Sequence, residues 1–229
     1  MELPSFTKEQ ITKVIVSNAP PSQLFEILSQ YESDACLMSA GSGSPETGAG
    51  DPEMLCLYYS GFFFAHLLTK QMSKFPIILQ VIPEARALTQ RIPVTLKHHD
   101  PSLQNCLNLL RAIWQNEHGQ VYRILRGLPW PDTLKHLVKR YESFFQDQTL
   151  IAVSTSYEAI RPAVAAGYLG LDTQAAEKDN QTIIQKFTDC GWTWNPETRL
   201  LYPSPITVPP TNSQPPSGIR ETMAMLGNR

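Results

Sequence analysis

The residues in this chain best suited to chemistry are five histidines, four cysteines and a pair of glycines at phosphate-loop spacing. His98-His99-Asp100 is the contiguous run with metal-ligating side-chain types. Adjacent histidines in a strand or turn point apart, however, and Pro101 comes directly after, so a solvated loop is expected there instead of a metal centre. His66, His118 and His136 each stand alone in helical patterns beside aliphatic residues, where packing or a surface position takes precedence over general-base duty. No two histidines are two positions apart, which removes the His-x-His element of a hydrolytic zinc site. Cys36, Cys56, Cys106 and Cys190 are widely separated with no Cys-x-x-Cys, so buried free thiols are expected rather than a zinc clip or a disulfide framework. Gly43 and Gly48 have phosphate-loop spacing, but Ala49 and Gly50 stand where a lysine and a hydroxyl would meet phosphate and Mg²⁺. No Gly-x-Ser-x-Gly elbow occurs. The residues therefore predict no catalytic group, no cofactor and no metal.

Charge narrows the partners. Lys and Arg total 19 against 21 Asp and Glu, a formal charge of −2, so the chain has no general attraction for nucleic acid or an anionic membrane. No run approaches the ~18 apolar residues of a membrane span, and Met1 leads into Glu2, Leu3 and Pro4 instead of a basic then apolar leader. An intracellular protein is expected. With 229 residues and 42% apolar content, it is long enough to bury one substantial core or two small ones.

The elements that would position any functional residue are helical. Thr7 can cap a first helix over 7–17 that buries Ile11, Val14 and Ile15. Pro20 and Pro21 open a second, with Leu24, Ile27, Leu28 and Tyr31 as its stripe. Residues 1–38 thus form N-terminal helices. Residues 39–53 hold Gly41, Gly43, Pro45, Gly48, Gly50 and Pro52 with few bulky apolar side chains, a composition predicting a flexible insertion. From Met54 to Gln71 the chain is apolar nearly all round, as in a helix enclosed by neighbours. Pro76, Pro83, Pro93 and Pro101 divide the next stretch of chain into short helices, and the stripes Leu103, Leu107, Leu110, Ile113, Trp114 and Leu134, Leu137, Val138, Tyr141, Phe144 mark two longer ones. Residues 54–155 read as antiparallel helix pairs.

The last third changes character. Pro162 opens a helix ended by Gly170, and Asp172 or Thr173 caps a second that carries Ala176, Ile183, Ile184 and Phe187 and stops at Gly191. Two β-prone runs then flank Asn195-Pro196-Glu197-Thr198, where Pro196 suits the second position of a type I turn, so a hairpin is expected. Helix, turn, helix and hairpin over 156–203 make a winged helix. Residues 204–216 form a proline-rich linker, and in 217–229 the residues Ile219, Met223 and Leu226 fall on one face of a short C-terminal helix.

Helix pairs that end in a winged helix resemble the PCI-domain family of the proteasome lid, the COP-nine signalosome and translation initiation factor three. Specific segments carry the likeness to its small-subunit branch. Ala85-Arg86-Ala87-Leu88-Thr89-Gln90-Arg91-Ile92-Pro93 is similar to the family's Ala-Arg-x-x-x-x-Arg-Ile-Pro, and Ile113-Trp114-Gln115 to its Ile-Trp-Gln. Val121-Tyr122 is similar to its Ile-Tyr, Ser156-Tyr157-Glu158-Ala159-Ile160 to its Ala-Tyr-x-x-Ile, and Leu169-Gly170-Leu171 to its Val-Gly-Leu. Gly191-Trp192 and Thr198-Arg199-Leu200-Leu201-Tyr202-Pro203 match the segment before the wing and the wing itself. Order and spacing, over about residues 54–203, make the set specific. The glycine-rich insertion, a longer second winged-helix helix and the proline stretch depart from the pattern.

The resemblance implies a mainly α fold of PCI-type helix pairs, a small winged helix with its hairpin, and a C-terminal helix. It also implies a non-catalytic scaffold subunit of the signalosome, which deneddylates cullin-RING ubiquitin ligases in cytoplasm and nucleus. The alternatives are a proteasome lid subunit or the small subunit of translation initiation factor three. The implied partners are other PCI subunits, joined in a hetero-oligomer through the winged-helix edge and the C-terminal helix. Trp194, Arg199, Leu201, Tyr202, Ile219, Met223 and Leu226 are the expected contact residues, and the hairpin edge offers backbone groups for strand addition. A DNA-binding winged helix is the remote alternative. Against it, the second helix mixes Glu177, Asp179 and Asp189 with Lys178 and Lys186, and the wing sets Glu197 against Arg199.

Overall fold

The computed structural model describes residues 6–40, 51–69, 78–178 and 181–204. Residues 41–50 of the insertion expected over 39–53, the proline linker past residue 204 and the C-terminal helix lie outside the described residues, whereas Pro52 and Glu53, expected in the insertion, are already helical.

The N-terminal helices form where local signals place them. Thr7 Oγ1 accepts from Gln10 N–H at 3.3 Å and starts α1 (Lys8–Val16), which buries Ile11, Val14 and Ile15. Pro21 occupies the first turn of α2 (Pro21–Gln30), whose Leu24 and Leu28 are buried, and Tyr31 closes it. A further helix, α3 (Glu32–Ala40), continues where the sequence had predicted loss of order from Ser39. Its weak amphipathic pattern left no helical stripe to read, although Ala35 is fully buried.

The long apolar segment is α4 (Pro52–Thr69), and its all-round burial reflects its place at the centre. It packs against α1, α2, α3, α5 (Ile78–Arg91), α6 (Val94–His99), α7 (Pro101–Trp114) and α9 (Asp132–Ser156). Phe62, Phe63, Phe64 and Tyr58 are each at most 1% exposed, and Tyr58 Oη donates to Leu28 O at 3.0 Å. A Cβ on Gly61 would fall 2.6 Å from Ile15 Cδ1, so the glycine permits the close crossing of α1 and α4.

Proline punctuation holds at Pro93, which caps α6, and at Pro101, the first residue of α7, but fails at Pro83. α5 runs through Pro83, because downstream packing of Ala85, Leu88 and Ile92 outweighs one missing backbone bond. His98 and His99 end α6 instead of lying in a loop, and Asp100 Oδ1 accepts from Ser102 N–H at 2.6 Å to start α7. The cysteines also divide: Cys56 and Cys106 are buried, with burial pushing the Cys56 thiol up to about 12 and Cys106 upward as well, whereas Cys36 and Cys190 are exposed.

After α8 (His118–Gly127), α9 runs for 25 residues and serves two cores. Leu134, Leu137, Val138 and Tyr141 belong to the large N-terminal core; Val153, with Leu150 beside it, belongs to a second core built by α10 (Pro162–Tyr168), α11 (Thr173–Glu177), α12 (Gln181–Asp189) and the hairpin of β1 (Thr193–Asn195) and β2 (Leu200–Tyr202). The predicted single helix from 172 to Gly191 is two elements. α11 starts on Asp172, whose carboxylate accepts from Gln174 and Ala175 N–H, and ends at Lys178 just before Asp179-Asn180, residue types that compete with helical backbone bonding. With its hairpin antiparallel in the register Trp194 opposite Leu201, the C-terminal unit is a winged helix, and the described residues are mainly α, consistent with a PCI-type fold.

Candidate subunit interface

Three helix ends close through a left-handed residue one position beyond the cap, at Asn116 (φ 56°), Gly170 (φ 63°) and Gly191 (φ 88°). At α10, Leu171 N–H returns to Ala166 O at 2.8 Å and Gly170 N–H to Gly167 O at 3.4 Å. At α12, Trp192 N–H returns to Phe187 O at 3.2 Å and Gly191 N–H to Thr188 O at 2.9 Å. The same closure brings Trp192 onto Phe187, with ring centroids 5.1 Å apart and planes within 19°. Trp192 Nε1 donates to Ser154 Oγ on α9 at 3.0 Å, so the residue that launches the hairpin is moored to both its own helix and the long shared one.

Besides the shared helix α9, the winged helix is fixed to the helical repeats at a joint between α8 and α10. The Tyr122 ring lies directly over Gly170, where a Cβ would sit 2.4 Å from its atoms. The Arg126 guanidinium covers the other part of the joint, 4.9 Å from the Tyr122 centroid, and donates to Gly170 O and to Glu142 Oε1, both at 2.6 Å. Gln146 Nε2 adds a bond to Leu169 O at 2.8 Å. His118 sits in the same seam, its ring 5.1 Å from Tyr168 and 5.5 Å from Phe145, and burial lowers its pKa below the ordinary imidazole value. The folded chain thus favours neutral His118, and the unfolded chain takes up the proton first as pH falls through about 6.5. Melting temperature is expected to drop between about pH 7.5 and 5.5 in wild type, and to drop less in His118→Phe; equal drops would remove His118 as a contributor.

The hairpin carries the predicted contact residues, but not equally. Asn195 Oδ1 accepts from Glu197 N–H at 2.9 Å and Thr198 N–H at 3.3 Å, which shapes the Asn-Pro-Glu-Thr turn, and exposed Arg199 closes it in a left-handed conformation (φ 52°). Trp194 is half-buried against the second core, and Tyr202 is 38% exposed. Leu201 is 0% exposed. It fills the chain's own core, so its side chain is unavailable as an anchor, contrary to the expectation that Leu201 is a contact residue of the hairpin edge.

The edge is also half closed. Ile160 N–H donates to Leu201 O at 2.8 Å and Leu201 N–H to Ile160 O at 2.9 Å, so the outer side of β2 is already paired. Because Leu201 turns its backbone groups toward Ile160, its pair with Trp194 is the non-bonded type, and Trp194 directs its N–H and C=O away from β2. Among the described residues, the open edge is therefore that of β1. Ile219, Met223 and Leu226 lie outside the described residues.

Burial also separates residues the sequence had grouped. Trp114, counted in the α7 stripe, is 63% exposed at the last turn of that helix, just before the left-handed Asn116. Among the described residues no group of His, Cys, Asp and Glu is arranged to hold a metal ion, and no helix is long and apolar enough to cross a membrane.

The paired motifs now have a physical basis: Tyr122 meets Gly170, Ile160 meets Leu201, and Trp192 meets Ser154. Comparison with known proteins agrees. The chain is 45% identical to COP9 signalosome complex subunit 8 of Emericella nidulans across 100% of this chain and 99% of the relative. It is 21% identical to the protein of the same name from Danio rerio, over 89% of this chain and 94% of the relative, and 25% identical to that of Arabidopsis thaliana over 48% and 52%. The model of the CSN8/PSMD8/EIF3K family matches residues 55–212, which run from the central helix α4 to just past the hairpin. With the helix pairs, the joint and the wing all inside that match, the chain belongs to the CSN8/PSMD8/EIF3K family.

Proposed function

We propose that the chain works as the subunit-eight component of a COP9 signalosome, a non-catalytic scaffold without an active site of its own. Full-length identity of 45% to a relative of that name carries the reading, since it spans the helical repeats, the joint and the wing together. Its assembly is hetero-oligomeric, and by its resemblance it acts on neddylated cullins in cytoplasm and nucleus. Purification of the tagged full chain from its own cells, with identification of co-purifying proteins, tests this. Signalosome subunits are the expected set; proteasome lid or ribosome-associated initiation subunits would overturn it.

Within that assembly the outward backbone of β1 receives a strand of a neighbouring subunit, with Trp194, Arg199 and Tyr202 flanking the contact. Residues 217–229 supply a second docking segment through Ile219, Met223 and Leu226, which share one helical face in the sequence pattern. Trp194 allows the strand contact to be separated from its side chain. Proline at 194 deletes a donor that β2 does not use, so Trp194→Pro and Trp194→Ala are expected to melt within a few degrees of each other, while only the proline variant loses incorporation almost completely. Equal incorporation of the two would exclude strand addition at β1.

A further inference from the structure

The chain carries a second surface with the chemistry of a docking site, between the end of α8 and the first half of α9. A groove of about 480 Å³ runs there over Leu125, Leu128, Pro129 and Val138. Leu128 is 36% exposed, an uncovered aliphatic floor beside buried Leu125 and Val138. The floor is held in shape from below: Asn105 Nδ2 donates to Pro129 O at 3.0 Å and Trp130 Nε1 to Ile124 O at 3.3 Å. A partner would therefore meet a preformed surface.

Its rim is basic. Lys135 and Lys139 stand four residues apart on one face of α9, and Arg126 faces them from α8. A second depression of about 390 Å³ adjoins at Arg126 and adds Arg123. Arg126 is committed to Glu142 and Gly170 O. Lys135 pairs with Asp132 at 2.6 Å, but with side chains 65% and 92% exposed that pair is easily exchanged. Lys139 and Arg123 make no ion pair among the described residues. Four cations against Asp132 and Glu142 leave a local charge of 4 − 2 = +2, whereas the whole chain carries −2.

We propose that this groove docks an acidic amphipathic segment of another protein, with aliphatic side chains on Leu128, Pro129 and Val138 and carboxylates meeting Lys135, Lys139 and Arg123. The chain's own remaining segments do not fit by charge. Residues 70–77 contribute Lys70 and Lys74 (+2), residues 205–229 contribute Arg220, Glu221 and Arg229 (2 − 1 = +1), and residues 41–50 hold the single acid Glu46. Nucleic acid fits less well, because Trp130, the aromatic at the groove, is 8% exposed and presents no face for base stacking.

The test uses the full chain and a fluorescein-labelled helical peptide of about 14 residues built from Leu and Glu at i, i+4 spacing, read by anisotropy. Controls are the same peptide with Leu replaced by Ser and a single-stranded oligonucleotide of similar charge. Saturable binding of the Leu–Glu peptide is expected, weakened roughly tenfold by the double variant Lys135→Glu/Lys139→Glu and by several-fold in Leu128→Ser, with melting temperatures unchanged in both. Absence of saturable binding, or equal binding by wild type and the lysine variant, would overturn the proposal. Equal affinity for the serine peptide or the oligonucleotide would overturn it too, by showing a charge-only surface. None of these outcomes depends on which complex the chain joins, so they are separable from the co-purification result.

Discussion

Gly170→Ala is expected to destabilise the chain by about 3 kcal/mol or more and to lower the melting temperature by roughly 6–12 °C. Two costs combine. The residue sits at φ 63°, where a side chain is strained, and its Cβ would stand 2.4 Å from the Tyr122 ring. Relief by movement is blocked, because Arg126 holds both the ring and the Gly170 carbonyl and is itself tied to Glu142. If the clash dominates, adding Tyr122→Ala should recover part of the loss, so the pair is non-additive in a double-mutant cycle. Additive losses, or a change below about 1 kcal/mol, would mean that the joint is looser than its geometry. The variant is also expected to lose incorporation into its assembly, because the winged helix no longer has a fixed orientation on the repeats.

Trp192→Ala is expected to cost about 3–5 kcal/mol, the range for deleting a large buried aromatic. Trp192 is 3% exposed, stacks on Phe187 and bonds Ser154 on α9. Its loss opens a cavity where three elements meet and frees the start of the hairpin. Trp192→Phe keeps the stack and forfeits the Ser154 bond, so it should lose only about 1–2 kcal/mol. Thermal or urea unfolding of the three proteins measures the order, and a phenylalanine variant as damaged as the alanine one would show that the hydrogen bond, not the stacking, sustains the site.

The local features of the fold were legible. Helix starts at Thr7, Pro21, Pro101, Pro162 and Asp172 arise from capping groups and fixed φ, and the stops at Gly170 and Gly191 arise from left-handed closure. Those signals act within a few residues, so they survive without knowledge of the rest of the chain. α4 was legible for the opposite reason: a helix apolar on every side can only sit among others. Where amphipathy was weak, as in α3, or where distant packing overruled a breaker, as at Pro83, local reading failed.

The candidate interface divides along the same line. From the sequence alone came a mainly α chain of helix pairs followed by a winged helix, its likeness to one family, and a hairpin bearing Trp194, Arg199, Leu201 and Tyr202. Only the tertiary structure decided that Leu201 is core, that Ile160 closes the β2 edge and leaves β1 open, and that Trp114 faces outward. It alone joined Tyr122 to Gly170 and gathered Arg126, Lys135 and Lys139 around one groove, with Arg123 at the depression beside it. Periodicity and capping are set by neighbours along the chain, whereas burial, edge pairing and charge clustering depend on which distant segments come to rest against them.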